Sequence, residues 1–353
     1  MSGREDASAL TSTRVEVDPE PDAFLDAMEA RGWGDGLPLV PPTPERVAAA
    51  VAASGRPPGE VVAVLPPSLA AATVEKVAVN AVLAGCRPAY LPVVLAAIRA
   101  AAQEPFNLPA IQATTHPCAV LTLVSGPIAR QLGMNWGYGA FGPGHRANAT
   151  IGRAVRLVLM NVGGARPGTL DRATQGTPAK YTYCAAENEE DSPWPPLRVS
   201  LGFGADQSIV TVIAGEAPHN INDHGSADAA GLLLQMAGTL ATPGSNNVYM
   251  KGDGYLFLGP EHARQLAAHG LSREDVQAWL FEHAVVPHER MGAGQLRHIQ
   301  HGLTEEERRL AGQAQRLGRD PGAIRIAVVG GDGRHSCWVP TFGMTQSCSE
   351  VVR

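Results

Sequence analysis

The segment NWGYGAFGPGHRANAT brings together side chains that could bind and protonate a small acid at the start of a helix. Histidine transfers protons near neutral pH, and arginine holds a carboxylate or phosphate through two parallel hydrogen bonds. The free N–H groups of a helix N-terminus also favour an anion. We therefore predict that His145 is catalytic and that Asn135, Arg146 and Asn148 bind substrate. Capping of the helix by the loop is the alternative explanation.

A second polar segment, KYTYCAAENEEDSPWPP, joins basic, phenolic and acidic side chains in a short span. A partly buried carboxylate with a raised pKa can act as a general base. We predict that Glu187 and Glu189 are catalytic and that Lys180 and Tyr181 bind substrate. This hypothesis requires both segments to line one cavity, whereas a solvated acidic surface is the alternative.

The helix TVEKVAVNAVLAG and the cysteine after it supply two more candidates. Lysines are rare among the 28 basic residues, and a lysine can deprotonate where arginine cannot, so Lys76 is a candidate catalytic residue. Cys86 is a possible nucleophile. The neighbouring Arg87 favours its thiolate, whereas the helix C-terminus opposes it. The alternative is a capped surface helix beside a buried cysteine.

The loop APHNINDHGS precedes the helix DAAGLLLQ, which we expect Ser226 to cap. We predict that His219 and His224 in this loop face substrate. A divalent metal bound together with Asp223 is the alternative, although the spacing matches no familiar helical ligand pair. The sequence has no GxSxG or HExxH motif, and we predict neither a metal nor another cofactor.

The patterns of helix and strand alternate irregularly along the chain, which predicts a mixed α/β (α+β) fold rather than a sandwich or a bundle. The 353 residues fit one large domain or two lobes. We predict a disordered tail over 1–19 and a first lobe over 20–196 that carries the glycine-rich loop and the acidic segment. A second α/β lobe follows over 197–353, with SPWPPL as the hinge. The segments NVYM and YLFLG are expected to form a hairpin around KGDG.

Composition narrows the classes of partner. A net charge of -6 and the absence of an obvious basic face argue against nucleic acid. No apolar run approaches the ~20 residues that cross a bilayer, and the polar N-terminus lacks a signal-peptide pattern. We therefore expect a cytoplasmic protein without membrane contact. The 5 cysteines include no CxxC pair, which favours reduced thiols. Alanine-rich helices and a charged fraction of 18% are typical of a homodimer.

Several long segments resemble a family of bacterial proteins associated with small UGSC-motif (seleno)proteins. These segments are GWGDGLPLVPPTPERV, TVEKVAVNAVLAGCRPAYLPVVLAA, FGPGHRANATIGRA, KYTYCAAENEEDSPWPPL and GPEHARQLAAHGLSREDVQAWLFEHA. The resemblance runs from about Gly32 to the C-terminus. It implies thiol or selenol chemistry on a small metabolite, with a small thiol or selenol protein as partner. The UGSC element itself is absent, since the terminal segment is GGDGRHSCW with Cys337.

Together these observations predict an enzyme of specialised, biosynthetic metabolism that acts on a small carboxylate- or amine-bearing metabolite without a cofactor. The expected chemistry is that of a lyase, an addition–elimination or a thiol transfer by a transferase. Two alternatives remain open at this point. One is a metal-dependent hydrolase or lyase that uses His219 and His224. The other is a substrate-binding or scaffolding subunit of a thiol/selenol redox complex.

Overall fold

The computed structural model describes residues 9–353, apart from the side chains at 310 and 311, and within them fourteen α-helices and twelve β-strands form a mixed α/β fold. The helices are α1 Pro21–Ala30, α2 Pro44–Ser54, α3 Val74–Leu83, α4 Leu91–Ala101, α5 Leu108–Ala113, α6 Pro127–Gln131, α7 Arg146–Asn161, α8 Leu197–Ser200, α9 Ala229–Leu240, α10 Asn246–Tyr249, α11 Pro260–Ala268, α12 Arg273–His283, α13 Ala293–His301 and α14 Glu305–Ala311. The strands are β1 Val61–Leu65, β2 Ala70–Thr73, β3 Ala119–Ser125, β4 Cys184–Ala186, β5 Ile209–Gly215, β6 His219–Asn222, β7 Gly254–Leu258, β8 Val285–Pro287, β9 Ala314–Arg316, β10 Ile324–Val328, β11 His335–Val339 and β12 Cys348–Val351.

Two four-stranded sheets of the same topology form the centre of the molecule. The first has the order β12–β5–β3–β4 and the second the order β6–β11–β7–β10. In each sheet the last two strands are parallel and the other neighbours are antiparallel. The parallel pairs are joined by crossovers that contain helices, α7 in the first sheet and α11 and α12 in the second. Two short antiparallel pairs, β1–β2 and β8–β9, lie outside these sheets.

The two sheets exchange their outer strands. The strand β6 follows β5 along the chain but pairs with β11 of the second sheet. In the same way β12 follows β11 but pairs with β5 of the first sheet. The boundary that we predicted between 196 and 197 therefore lies between two strands of one sheet, β4 and β5, rather than between two separately folded lobes.

Alternation along the strands builds three apolar cores. In β7, Tyr255 and Phe257 point to a core between the two sheets, whereas Leu256 and Leu258 point to a core under α9, α11 and α12. Side chains of the first sheet alternate in the same way. In β5, Ile213 points to the core between the sheets, whereas Val212 and Ala214 belong to a core that also contains residues of α3, α4 and α7. The molecule is thus layered as helices, sheet, sheet and helices.

Several helix starts follow the local signals in the sequence. The hydroxyl of Thr73 accepts from the third N–H of α3, and Ser272 and Asp275 form a capping box at the start of α12. The prediction for α9 is wrong, because Asp228 rather than Ser226 caps it. Both types can cap a helix, and the actual start of α9 decides between them.

Two predicted elements take a different form. NVYM was expected to be a strand, but Asn246–Tyr249 is a short helix, so YLFLG does not pair with it in a hairpin. The segment APHNIND was expected to be a loop, but His219–Asn222 is the edge strand β6. For β6, pairing with β11 overrides the local preference.

The predicted disordered tail is ordered over the part that the structure describes. The backbone N–H groups of Thr11 and Ser12 donate to the Glu75 carboxylate over 3.0 and 2.9 Å. Leu10 and Val17 pack against the first core. Residues 1–8 lie outside the described residues.

The expected hinge SPWPPL is packed against the rest of the protein, since the Trp194 indole donates to the Leu271 carbonyl over 3.0 Å.

Within residues 9–353, each helix is too short or too polar to cross a bilayer.

Candidate functional site

The glycine-rich loop is held to the start of α7 by two asparagines. The Asn148 side chain is 3% exposed; its Oδ1 accepts from the Asn135 N–H over 2.8 Å and its Nδ2 donates to the Asn135 carbonyl over 2.9 Å. The Asn135 side chain bridges Gly137 and Tyr138 within the loop. Because both amides are engaged inside the protein, the prediction that Asn135 and Asn148 bind substrate is replaced by a structural role.

Arg146 faces a cleft of about 510 Å³, which we name the arginine cleft. Its lining residues come from α2, from the connection of α3 to α4 and from the start of α7: Val40, Glu45, Arg46, Ala49, Ala50, Ala81, Val82, Gly85, Cys86, Arg87, Pro88, Leu91 and Arg146. The Arg146 Nε donates to the Gly85 carbonyl over 2.9 Å. Gly85 has a φ of 89°, which suits glycine and ends α3 at this point.

Three guanidinium groups and one carboxylate give the arginine cleft a positive balance. Arg46, Arg87 and Arg146 line the cleft together with Glu45, whose pKa is lowered by its own backbone N–H and by the Thr43 hydroxyl. The remaining walls are apolar. Glu45 and Arg46 were not predicted as site residues, because Thr43, Pro44 and Glu45 have the types expected at a helix start. They reach the same cleft as Arg146 because α2 and α7 both pack against α3, and no local sequence pattern shows this.

Cys86 forms part of this cleft as a neutral thiol. Its Sγ donates to the Thr150 carbonyl over 3.2 Å. Burial raises the pKa of Cys86 to about 12, against the smaller opposing effects of Thr150, Arg146 and Arg153. The thiolate is the nucleophilic form of cysteine. The structure therefore argues against the predicted nucleophile and leaves Cys86 as a weak polar group in the cleft.

His145 is exposed at the N-cap position of α7, next to Arg146. Its backbone is extended, with φ −117° and ψ 115°, and its ring makes no capping hydrogen bond to the helix in the described structure. Its carbonyl accepts from the Ala149 N–H over 3.1 Å. The imidazole is therefore free of such a contact, and although His145 precedes Arg146 along the chain, it is not among the residues that line the arginine cleft.

Glu187 is buried at the end of β4 and serves the backbone. Its Oε1 accepts from the Leu197 N–H over 2.7 Å at the start of α8. Burial raises the pKa of Glu187, against the smaller effects of the Leu197 N–H, of the nearby Ser125 side chain and of Arg273. The side chain is 3% exposed, and its Oε2 is buried without a hydrogen-bond partner among the described residues.

Glu189 is also engaged within the protein. Its Oε1 accepts from the Gly126 N–H over 2.7 Å, and its Oε2 lies 3.2 Å from Nη1 of the buried Arg198. Neither Glu187 nor Glu189 lines the arginine cleft. The expected shared cavity is therefore not formed, because both carboxylates turn into the contact between β3, β4 and α8.

The other predicted residues lie apart from the cleft. Lys180 Nζ pairs with both Asp171 oxygens at 2.7 and 2.6 Å, and Asp171 also pairs with Arg156, in a buried ion cluster. Tyr181 is 50% exposed on the surface. Lys76 is exposed and donates to the Ala71 carbonyl over 2.9 Å. These contacts give Lys76 and Lys180 partners within the protein, and neither side chain lines the arginine cleft.

The predicted histidine pair is not a pair in the structure. His219 is exposed on β6, whereas His224 lies beside His335, with their Nε2 atoms 3.3 Å apart. Asp223 does not join them, because its Oδ1 accepts from the Ser226 N–H over 2.8 Å in a turn. The described residues contain no group of three or more His, Cys, Asp and Glu side chains placed to hold a metal ion.

A histidine–carboxylate pair that the sequence analysis missed lies at the start of β3. The His116 Nε2 is 2.8 Å from the Glu216 Oε1, and the Tyr183 hydroxyl donates to the Glu216 carbonyl over 2.8 Å. The His116 Nδ1 is buried without a partner in the described part of the chain. Only the position of His116 just before the strand AVLTLVS could have drawn attention to it.

Comparison of the chain with protein-family models, with curated proteins and with solved structures gave no match in any of the three. The resemblance to the UGSC-associated family accordingly stays a prediction from the sequence.

Proposed function

We propose that this chain is an enzyme that binds a small carboxylate-bearing metabolite in the arginine cleft. The observation that carries the proposal is the guanidinium of Arg146, fixed through its Nε in a cleft that also contains Arg46 and Arg87. The two Nη atoms of Arg146 can bind a carboxylate through two parallel hydrogen bonds. A volume of about 510 Å³ suits a small molecule.

The character of the cleft limits the ligand further. Apolar side chains such as Val82 and Leu91 form the walls, so a metabolite with a short carbon skeleton fits better than a sugar. Glu45 adds one carboxylate to the lining of the same cleft. An ammonium group on the ligand would pair with it, which supports a substrate that bears both a carboxylate and an amine.

Proton transfer is the chemistry that the surroundings of the cleft support best. His145 adjoins Arg146, and imidazole is suited to move protons near neutral pH. The neutral Cys86 thiol gives less support to thiol transfer. We therefore favour a lyase reaction in which His145 takes a proton from the carbon next to the carboxylate that Arg146 holds, while the bond from the neighbouring carbon to its leaving group breaks and the electron pair departs with that group. A homodimer in the cytoplasm, and a thiol or selenol partner, remain part of the proposal.

To test this proposal, the purified chain is incubated with a panel of short carboxylic and amino acids, and NMR is used to detect which of them are converted. His145→Ala should abolish turnover of any substrate found while its binding persists. His301→Ala, an exposed histidine on α13, is the matched control and should turn over normally. Full activity of His145→Ala would overturn the catalytic role. Binding without turnover by the wild type would favour the binding-subunit alternative.

A further inference from the structure

Two imidazoles meet at the edge of the second sheet, away from the residues that line the arginine cleft. The Nε2 atoms of His224 and His335 are 3.3 Å apart, and the ring centroids are 5.1 Å apart with the planes inclined at 75°. Two nitrogen ligands of a tetrahedral ion, each bonded at about 2.0–2.1 Å, are separated by about 3.4 Å. The two nitrogens therefore already stand at the spacing of two metal ligands.

The orientation of the His335 ring is fixed by a hydrogen bond on the side away from His224. Its Nδ1 lies 3.0 Å from the Oδ1 of Asn220 on the neighbouring strand. Because an amide oxygen can only accept, Nδ1 carries the proton and Nε2 of the neutral ring keeps its lone pair. Metal-binding histidines are held by the same kind of second hydrogen bond, which fixes both the tautomer and the ring.

The backbone on both sides of the pair is also tied together. Arg334, which precedes His335, donates from Nε to the Asp223 carbonyl and from Nη2 to the Ser226 carbonyl, each over 2.8 Å. These two carbonyls flank His224 along the chain. The antiparallel pairing of β6 with β11 adds a second link. The two imidazoles are thus brought together by a preformed framework and need little ordering on binding.

We infer that His224 and His335 form a binding site for a divalent transition-metal ion, with Zn²⁺ as the reference case. Imidazole nitrogen suits Zn²⁺, Cu²⁺ and Ni²⁺ rather than Mg²⁺ or Ca²⁺, which prefer oxygen. Both side chains are exposed, so an ion can enter from solvent. Two protein ligands leave further positions for water or a small anion. This inference is independent of the proposed function of the arginine cleft.

The competing explanation is an N–H···N hydrogen bond between two neutral rings, and metal binding by the full chain separates the two. The chain has 11 histidines and 5 cysteines, so the comparison must be between variants. With one equivalent of Cu²⁺, the electron paramagnetic resonance spectrum should show coupling to two imidazole nitrogens. His224→Ala and His335→Ala should each lose that signal, whereas His219→Ala, an exposed histidine at the start of β6, should keep it.

A Zn²⁺ titration against a chromophoric chelator gives a second readout. Asn220→Ala retains both ligands but loses the bond that orients His335, so its Zn²⁺ affinity should fall by about tenfold or more. Circular dichroism of each variant checks that the fold is intact. Equal Zn²⁺ affinity and equal Cu²⁺ spectra for the wild type, His224→Ala and His335→Ala would overturn the inference and leave a simple hydrogen bond.

Discussion

Glu187 illustrates how the environment of a residue decides its role. Its type and its position after a strand are those of a general base, and burial does raise its pKa, as the sequence analysis expected. The carboxylate nevertheless accepts from the Leu197 backbone instead of facing a ligand cavity. A raised pKa marks a functional residue only when the group can also reach a reacting atom.

This position makes the stability of the protein depend on pH. Folding raises the pKa of Glu187 above its ordinary value of 4.5. The protonated Glu187 carboxyl group therefore contributes its full stabilisation below pH 4.5, and this stabilisation is lost as the pH rises through the pKa of the folded state. Glu187→Gln keeps an acceptor for the Leu197 N–H and removes the buried charge. Relative to the wild type, we expect the Glu187→Gln variant to become more stable as the pH rises from about 4.5 to about 8, because only the wild type must then ionise a buried carboxyl group.

Urea unfolding at the two pH values measures this gain. Glu29→Gln, on the exposed side of α1, should show no such change. A difference between Glu187→Gln and the wild type that stays the same at both pH values would contradict the account.

The thiols give a second prediction at the residue scale. Burial raises the pKa of Cys86, Cys118 and Cys337 to about 12 and that of Cys348 to about 11, and it also raises that of Cys184. The native protein should therefore react slowly with Ellman's reagent at neutral pH, whereas all 5 cysteines should react rapidly in denaturant. A native thiol that reacts as fast as in the denatured chain would instead support thiol chemistry.

At the scale of elements, α7 is fixed by its contact with the segment that leads into β4. A Cβ at Gly152 would lie 2.6 Å from the Tyr183 backbone N and 2.9 Å from the Tyr183 carbonyl carbon. The Thr182 hydroxyl donates to the Ala149 carbonyl over 2.7 Å in the same contact. Helix propensity alone favours alanine over glycine by up to about 1 kcal/mol, so close packing explains the glycine here.

Two glycine-to-alanine changes separate propensity from packing. Gly152→Ala should destabilise the protein by about 1–3 kcal/mol, because backbone atoms must shift. Gly238→Ala in α9, where a Cβ meets no atom within 4 Å among the described residues, should stabilise it by up to about 1 kcal/mol. Thermal unfolding of both variants provides the measurement. A stabilised Gly152→Ala variant would show that α7 can move away from β4.

The elements also show which features the sequence could predict. The starts of α3 and α12 are marked in the sequence by Thr73 and Ser272, because a cap depends on residues within one turn. The arginine cleft was found only in part: Arg146 and Cys86 were candidates, whereas Arg46 approaches them through the packing of separate helices. Likewise, His224 was chosen but its neighbour His335 was not, because the pairing of β6 with β11 joins distant segments.

At the scale of the whole molecule, the exchange of outer strands couples the two sheets. The outer strand of each sheet comes directly after a strand of the other sheet along the chain: β6 follows β5, and β12 follows β11. A topological repeat of this kind leaves no obvious sequence repeat, because only the order and direction of the strands are shared. The mixed α/β class was therefore predicted correctly, whereas the arrangement of two equivalent sheets was not.

This coupling predicts how the chain unfolds. Residues 197–353 contain β5 and β12 but lack β3 and β4, their partners in the first sheet. We expect the full chain to unfold in a single cooperative transition. Separately expressed fragments 20–196 and 197–353 should lack the near-ultraviolet circular dichroism of a packed core. Two resolved transitions in calorimetry, together with a folded fragment 197–353, would restore the two-lobe description.

The binding of a small carboxylate in the arginine cleft is the central claim, and an NMR titration with glutarate and its neutral diamide tests it most directly. We expect glutarate to bind the wild type and Arg172→Met, an exposed arginine outside the cleft, with equal affinity. Arg146→Met should bind it about tenfold more weakly or worse, since it loses charge-assisted hydrogen bonds, and the diamide should not bind. Equal glutarate affinity for Arg146→Met and the wild type, or no glutarate binding at all, would contradict the account.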